Sequence, residues 1–189
     1  MKNFKIGKAN VGNNQKPFIV AELSANHGNS LKNCLKLVRI AKKAGASAIK
    51  IQTYKPNTIT LNSNKSDFKL KKNSPWKKYK NLWGLYSKSF TPWEWHYSIF
   101  EEAKKNNLEY FSSPFDESSV DFLNKLNVKA FKIASAEINH LPMIEKIIKI
   151  GKPIIFSLGF ASMKNVNDII KLVNKYNFKK IIFLNCVAE

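Results

Sequence analysis

The sequence predicts an α/β fold in which helices cover a parallel sheet. Short apolar segments alternate with amphipathic segments at helical spacing, and six strands follow one another in this way. Such alternation is typical of repeated βα units. An open doubly wound sheet remains an alternative, but no glycine-rich dinucleotide loop follows the first strand. We therefore expect a (βα)8 barrel of the TIM type.

The chain is too short for the complete barrel. Eight βα units take about 250 residues, whereas the sequence has 189 residues. We expect an N-terminal hairpin over residues 1–16 and a partial TIM barrel over residues 17–189, truncated after strand six. Either the chain is a fragment or a partner completes it. Strands one and six would be unpaired edges, so the chain alone is expected to be unstable or self-associating.

The individual elements follow from apolar runs, helix caps and turn residues. The hairpin strands are expected at 4–6 and 9–11, and residues 54–89 are expected to be irregular. The capping-box sequence Thr91-Pro92-Trp93-Glu94 predicts a helix that starts at Pro92 and ends near Lys105. Two further caps are Ser30 and Asp116, and the last helix, which is expected to start near Ser162, places Val166, Ile169, Ile170 and Val173 on one apolar face. The six barrel strands are predicted at 18–22, 48–52, 109–112, 130–133, 153–157 and 180–185.

Composition excludes several classes of protein. A hydrophobic content of 44% and a charged content of 24% argue against general disorder. No apolar run is long enough to cross a bilayer, and the N-terminus lacks the apolar region of a signal peptide, so we expect a cytoplasmic protein without a membrane partner. Cys34 and Cys186 match no metal or redox spacing and are expected to be reduced, with Cys34 in a helix core.

The net charge of +19 raises the alternative of a nucleic-acid-binding protein. Arg39 is the one arginine among 32 basic residues, and the lysines are spread along the whole chain. Recognition of phosphates and base edges depends strongly on the guanidinium group. A general bias towards lysine and asparagine explains the charge better, and we predict no nucleic-acid partner.

Polar side chains lie within or directly after the predicted strands, where a barrel gathers them at its catalytic face. Lys50 and Lys132 each interrupt an apolar run, and burying an ammonium group is costly unless an anion pairs with it. Two such lysines together with serine hydroxyls predict a cradle for phosphate or carboxylate. Glu22 and Glu137 are either their balancing acids or proton carriers. Because side chains alternate along a strand, Lys132 shares a site with Glu137 only if the strand ends by about Ala134.

Five segments in order along the chain resemble the sialic acid synthase family, over essentially the whole sequence. Within that family, residues 23–27 and 91–96 are similar to the branch that makes pseudaminic acid. The five segments are Ala21-Glu22-Leu23-Ser24-Ala25-Asn26-His27, Lys50-Ile51-Gln52-Thr53-Tyr54, Phe111-Ser112-Ser113-Pro114-Phe115-Asp116, Lys132-Ile133-Ala134-Ser135-Ala136-Glu137 and residues 153–159.

The resemblance implies condensation of phosphoenolpyruvate with a 2,4-diacetamido-trideoxy-hexose aldehyde, giving a nonulosonic acid and phosphate. It also implies a divalent metal, Mn²⁺ or Mg²⁺, that polarises the aldehyde, and a domain-swapped homodimer with an antifreeze-like domain that is absent from this chain. Glu22 and Glu137 match catalytic acids, and Glu137 also matches a sugar contact, as does Gln52. The positions that match phosphoenolpyruvate contacts are Lys50, Ser113, Lys132, Ser135 and Ser157.

The departures from the family pattern limit what this chain should do alone. The family's metal-binding histidines lie on strands seven and eight, and His27, His96 and His140 match none of them, so no metal ligand is expected here. Leu158 replaces a threonine, and Ala188 stands where an asparagine or serine is usual. We expect the isolated chain to be inactive. The alternatives are an N-acetylneuraminate or legionaminate synthase and a non-catalytic fragment or assembly partner.

Overall fold

Six parallel strands form the main sheet of the protein, whose structure is a computed structural model describing residues 3–186. A separate antiparallel hairpin precedes them and pairs Phe4 with Val11 and Ile6 with Ala9. The hairpin consists of β1 (Phe4–Ile6) and β2 (Ala9–Val11); the sheet consists of β3 (Val20–Glu22), β4 (Ala48–Thr53), β5 (Glu109–Pro114), β6 (Phe131–Ile133), β7 (Ile154–Ser157) and β8 (Ile181–Leu184).

The sheet strands pair in chain order from β3 to β8, and every pairing is parallel. The helices that join them are α1 (Leu31–Lys43), α2 (Pro56–Ile59), α3 (Leu82–Ser89), α4 (His96–Lys105), α5 (Glu117–Lys125), α6 (Leu141–Ile150) and α7 (Met163–Lys175). Helix α1 packs against α4, α5 against α6, and α6 against α7. A doubly wound sheet reverses its strand order and places helices on both faces. The sequential order with neighbouring helices confirms the α/β barrel type, present here as six of its strands.

The core lies between the strands and this helix layer. Ile49, Ile51, Phe131, Ile133 and Phe156 on the strands are all fully buried or nearly so. The helices contribute buried residues at helical spacing, among them Cys34, Val38, Ile144, Ile147, Ile169 and Val173. Burial of each large apolar side chain contributes about 1.5–3 kcal/mol, and truncating a core phenylalanine to alanine typically costs about 3–5 kcal/mol. Ile170 was expected on the buried stripe of α7, but it is 39% exposed, so that detail of the prediction is wrong.

Two predicted helix caps, Ser30 and Asp116, are confirmed, and Ser162, near which the last helix was expected to start, is also a cap. The side chains of Ser30, Asp116 and Ser162 accept hydrogen bonds from backbone N–H groups at the start of α1, α5 and α7, respectively. Gly151 ends α6 with a φ of 81°, a conformation that favours glycine. These caps satisfy backbone groups that a helix leaves unpaired, which is why the short-range pattern was sufficient to locate them.

The prediction that Thr91 caps a helix beginning at Pro92 is wrong. Residues Trp93–Trp95 form a 3-10 turn, and α4 begins at His96, although it ends at Lys105 as expected. The Trp95 N–H donates to the Pro92 carbonyl at 3.0 Å, which satisfies the backbone without the threonine. The Thr91 hydroxyl instead lies 3.4 Å from His27 Nε2 and is buried. A tertiary contact therefore takes the place of the local cap.

The segment expected to be irregular, residues 54–89, contains two helices and two 3-10 turns. Its longest element, α3, begins after Asn81, whose side chain accepts a hydrogen bond from the Gly84 N–H at 2.8 Å. A glycine inside the helix and the lack of an apolar stripe concealed α3 in the sequence.

Most predicted strand ends also move by one or two residues; for example, β3 begins at Val20 and β5 extends to Pro114.

Candidate active site

The carboxyl ends of the strands carry most of the candidate site residues. Gln52 on β4 is in register with Ser113 on β5, and Ile51 is in register with Ser112. Because successive side chains point to opposite sides of a strand, Lys50, Gln52 and Ser113 share one side of the sheet. We call this side of β4 and β5 the inner face.

Lys50 links three strands across the inner face. Its ammonium group forms an ion pair with Glu22 at the end of β3 and donates a hydrogen bond to Ser113 Oγ at 3.4 Å. Its side chain is 12% exposed and that of Glu22 is 41% exposed. Glu22 is held in turn by Ser24, whose backbone N–H and hydroxyl both donate to Glu22 Oε1, at 3.0 and 2.8 Å. Glu22, Lys50 and Ser113 therefore form one contact group.

Lys132 is the centre of a second group on β6 and β7. Its ammonium group donates to Ser157 Oγ and, at 3.4 Å, to the Ile133 carbonyl. Ser157 is buried, and Cys186 Sγ lies 3.1 Å from its hydroxyl. Burial lowers the pKa of Lys132 from 10.5 to about 8, and the positive charge of Lys50 acts in the same direction. The two lysines thus lie within electrostatic range of each other.

Glu137 reaches the same region as Lys132 because β6 ends at Ile133. This meets the condition that the strand end by about Ala134 if the two residues are to share a site. A 3-10 turn, Ser135–Glu137, follows directly. Burial raises the pKa of Glu137, whereas the Lys132 charge lowers it. Among the residues that the structure describes, Glu137 Oε2 is buried and has no hydrogen-bond partner. An uncompensated carboxylate oxygen is costly, which is typical of a group that acts on a ligand.

Gln52 and Ser135 are placed near these groups but are less tightly held. Gln52 is half-buried on the inner face next to Ser113, and Ser135 is half-buried at the start of the turn that ends in Glu137. The structure therefore brings Glu22, Lys50 and Ser113 into contact, and joins Lys132 to Ser157. It leaves Gln52 and Ser135 at the margins of the two groups.

Aromatic side chains from the segment after β4 form a cluster, one member of which, Tyr86, lies within electrostatic range of Glu137. Tyr54 packs edge-to-face on Tyr86 of α3 and on Phe115, with centroid distances of 5.8 and 5.3 Å. The Tyr54 hydroxyl lies 3.0 Å from Ser89 Oγ, which ties α3 to the end of β4. Burial raises the pKa of Tyr86, and the negative charge of Glu137 adds to this effect. Helix α3 thus forms a wall of the candidate site.

The histidines make structural hydrogen bonds. His27 Nδ1 accepts from the Asn29 N–H at 3.1 Å, and His140 Nδ1 accepts from the Met143 N–H at 3.1 Å, capping α6. His96 Nε2 lies 2.8 Å from the Thr53 hydroxyl. Within residues 3–186, no group of three or more histidine, cysteine or acidic side chains could hold a metal ion. The described residues therefore do not fit the divalent metal that the resemblance implies.

Sequence reasoning missed three residues of the site. Cys186 lies two residues after the end of β8 and contacts Ser157, so the rule that polar residues gather at strand ends could have found it. Ser24, which orients Glu22, follows the strand end by two residues and was treated as part of a motif only. Tyr86 could not be found, because its helix was not predicted. Ala188, noted as a departure from the family pattern, lies outside the described residues.

Comparison with known proteins shows the family of the chain. The NeuB family profile matches residues 37–189. The chain belongs to the NeuB family. It is 44% identical over 179 residues to pseudaminic acid synthase of Campylobacter jejuni, and 43% identical over 174 residues to that of Helicobacter pylori. These alignments cover 95% and 92% of the chain, but 52% and 51% of the relatives. The chain thus spans about half the length of these NeuB family members.

A solved structure of the NeuB family supports the fold directly. The N-acetylneuraminic acid synthetase of Leptospira borgpetersenii superposes with a TM-score of 0.84 at 26% sequence identity. The match covers 100% of this chain and 60% of that one. Within residues 3–186, no helix is both long and apolar enough to span a membrane.

Proposed function

We propose that the gene product containing this chain is a pseudaminic acid synthase. It joins phosphoenolpyruvate to a 2,4-diacetamido-trideoxy-hexose aldehyde, forming a nonulosonic acid and releasing phosphate. The single observation that carries this proposal is the placement of Lys50 on β4 and Lys132 on β6, either side of β5 in one parallel sheet, each contacting a serine hydroxyl. The similarity to pseudaminic acid synthases supports the choice of sugar.

The electrostatics of the two lysines favour an anionic substrate. Lys50 has Glu22 as its counter-ion, whereas Lys132 has hydroxyl and carbonyl partners and no carboxylate in ion-pair contact among the described residues. A half-buried ammonium group without a counter-ion gains most from a ligand that brings negative charge. Phosphoenolpyruvate supplies a phosphate and a carboxylate, which is one anionic group for each lysine.

The acids suit the remaining chemistry. The reaction forms a bond between C3 of phosphoenolpyruvate and the aldehyde carbon, water adds at C2, and phosphate leaves. These reaction steps develop positive charge at C2, which a carboxylate stabilises. Glu22 stands beside Lys50 and is partly open to solvent, which suits a group that handles the water. Glu137, with its raised pKa and unpartnered oxygen, suits a group that holds or moves a proton at the sugar.

Several properties of the complete protein are part of the same proposal. They are a homodimer, a divalent metal supplied outside residues 3–186, and a cytoplasmic location, where phosphoenolpyruvate is made. Residues 1–189 expressed alone are expected to release no phosphate, because the family's metal ligands lie on later strands.

The test is to replace Lys50 and Lys132 separately with methionine in the full gene product. Each change should weaken phosphoenolpyruvate binding by about 2–4 kcal/mol, as expected for a lost charged contact, when measured by calorimetry. Lys36→Met, an exposed change on α1, serves as the control. Unchanged affinity in both site variants would refute the proposal.

The choice of sugar needs a separate measurement. Phosphate release should be faster with the 2,4-diacetamido-trideoxy-hexose than with N-acetylmannosamine at equal concentrations. The opposite preference would instead identify a neuraminic acid synthase, and release with neither sugar would indicate a non-catalytic protein.

A further inference from the structure

Three polar side chains are fully buried on the side of β4 and β5 opposite the inner face. Thr53 Oγ1 lies 2.8 Å from His96 Nε2 and 2.6 Å from Ser112 Oγ, and the Ser112 hydroxyl donates to the Ile51 carbonyl at 2.9 Å. His96, Thr53 and Ser112 are each 0% exposed. We call these three residues the buried polar chain.

The direction of these hydrogen bonds is set by the surroundings of His96. Its Nδ1 lies 3.1 Å from the Pro92 carbonyl, which can only accept, so Nδ1 carries the proton. Burial lowers the pKa of His96 to about 4, and the ring is therefore neutral near pH 7. Nε2 must then accept a hydrogen bond, which the Thr53 hydroxyl donates. The Thr53 oxygen then accepts from Ser112, whose single hydroxyl proton is shared between Thr53 Oγ1 and the Ile51 carbonyl oxygen, so every member of the buried polar chain has a partner.

Packing alone does not explain why this position is polar. The rings of Phe100 and Phe122 meet His96 edge-on at centroid distances of 5.8 and 5.2 Å. Apolar side chains of similar size could fill such a site without any need for hydrogen-bond partners. A buried polar network that is fully satisfied fixes one geometry, because each displacement leaves a group unpaired.

The geometry that it fixes is that of the inner face. Thr53 directly follows Gln52, and Ser112 directly precedes Ser113, so each polar residue adjoins a site residue on its own strand. The hydrogen bond between Thr53 and Ser112 joins the two strands at the level where Gln52 and Ser113 are in register. A shift of β4 against β5 would therefore move Ser113 away from Lys50.

We infer that the buried polar chain positions the inner face for phosphoenolpyruvate, an inference that rests on the proposed function. Its members are positioning residues, since they act through their strand neighbours. Loss of the buried polar chain should weaken the binding of phosphoenolpyruvate, although the site residues themselves are unchanged. A small misplacement of substrate contacts is enough to lower affinity or rate by about tenfold or more.

The test compares Thr53→Val with Thr53→Ser in the full gene product. Valine keeps the shape of threonine and removes the hydroxyl, whereas serine keeps the hydroxyl and removes the methyl group. We expect Thr53→Val to raise the dissociation constant and KM for phosphoenolpyruvate about tenfold, with a much smaller effect on kcat. Thr53→Ser should bind phosphoenolpyruvate almost as the unchanged protein does. Ser112→Ala replaces Thr53→Val if the valine variant does not fold.

The outcomes separate this inference from the proposed function. Normal binding by Thr53→Val, or equal weakening by valine and serine, would overturn the positioning role, because the hydroxyl would then not be the cause. Lys50→Met is measured alongside. If it loses affinity while Thr53→Val does not, only the positioning role is wrong. If Lys50→Met binds normally, the phosphoenolpyruvate site is wrong and the inference falls with it.

Discussion

Replacing Lys132 with methionine should make the protein more stable and less able to bind phosphoenolpyruvate. Burial and the charge of Lys50 together lower the pKa of Lys132 from 10.5 to about 8. At about 1.4 kcal/mol for each pKa unit, holding this ammonium group in the folded protein costs about 3 kcal/mol. Because the side chain is only half-buried, solvent screening reduces the figure to about 2 kcal/mol. Methionine carries no charge and fills a similar volume, so the variant avoids this cost.

The stability difference between Lys132→Met and the unchanged protein should depend on pH in a definite direction. Since the folded pKa is lower than the unfolded one, the unfolded chain binds the proton more tightly. The buried ammonium group therefore destabilises the folded protein fully below about pH 8, and this effect fades as the pH rises towards 10.5. Lys132→Met should exceed the unchanged protein in unfolding free energy at about pH 7, and the difference should shrink near pH 10.

Urea unfolding of the full gene product at both pH values provides the measurement, with Lys36→Met as the exposed control. Taking the difference between variants cancels the titration of the other lysines. A methionine variant that is less stable at neutral pH would refute the reasoning, and so would a difference that does not change with pH. Calorimetry on the same samples should show the loss of phosphoenolpyruvate affinity.

Three further predictions concern other parts of the molecule. Burial raises the pKa of Glu137, so the free energy of unfolding falls as the pH rises from 4.5 through the folded pKa. Glu137→Gln should therefore raise the melting temperature at neutral pH. It should also lower kcat about 100-fold. Retained turnover would contradict its catalytic role. Asp116→Ala should cost about 1 kcal/mol in chemical unfolding by removing the cap of α5, whereas Asp116→Asn should cost less, and equal losses would argue against capping. Random DNA should show no tight, steeply salt-dependent binding in fluorescence anisotropy, and such binding would revive the nucleic-acid alternative.

Features of the fold that depend on neighbouring residues could be predicted from the sequence. The caps Ser30, Asp116 and Ser162 are side chains that bond to backbone within three residues, so the sequence alone contains the interaction. Thr91 presents the same local signature, yet its hydroxyl contacts His27, which is far away in the sequence. The outcome at Thr91 depended on tertiary packing, which no window of residues contains.

The same limit applied to the candidate site, where single residues could be predicted but contacts between strands could not. Lys50 and Lys132 stood out because an ammonium group in an apolar strand requires a partner, which is a local argument. Their contacts with Ser113 and Ser157 depend on the register between strands, which the sequence does not state. The buried polar chain was missed for the same reason, since Thr53 and Ser112 meet only when β4 and β5 are correctly aligned.

The ion pair between Glu22 and Lys50 changes how the affinity for an anion should be understood. An anion that approaches Lys50 meets a lysine whose charge is already balanced, and it must either displace the carboxylate or share the ammonium group with it. Binding at this lysine is therefore an exchange of partners, and its free energy is the difference between two ion pairs. Lys132 has no such competitor among the described residues, so two lysines of the same chemical type make unequal contributions. The carboxylate that is displaced from Lys50 becomes a free base beside the newly bound anion.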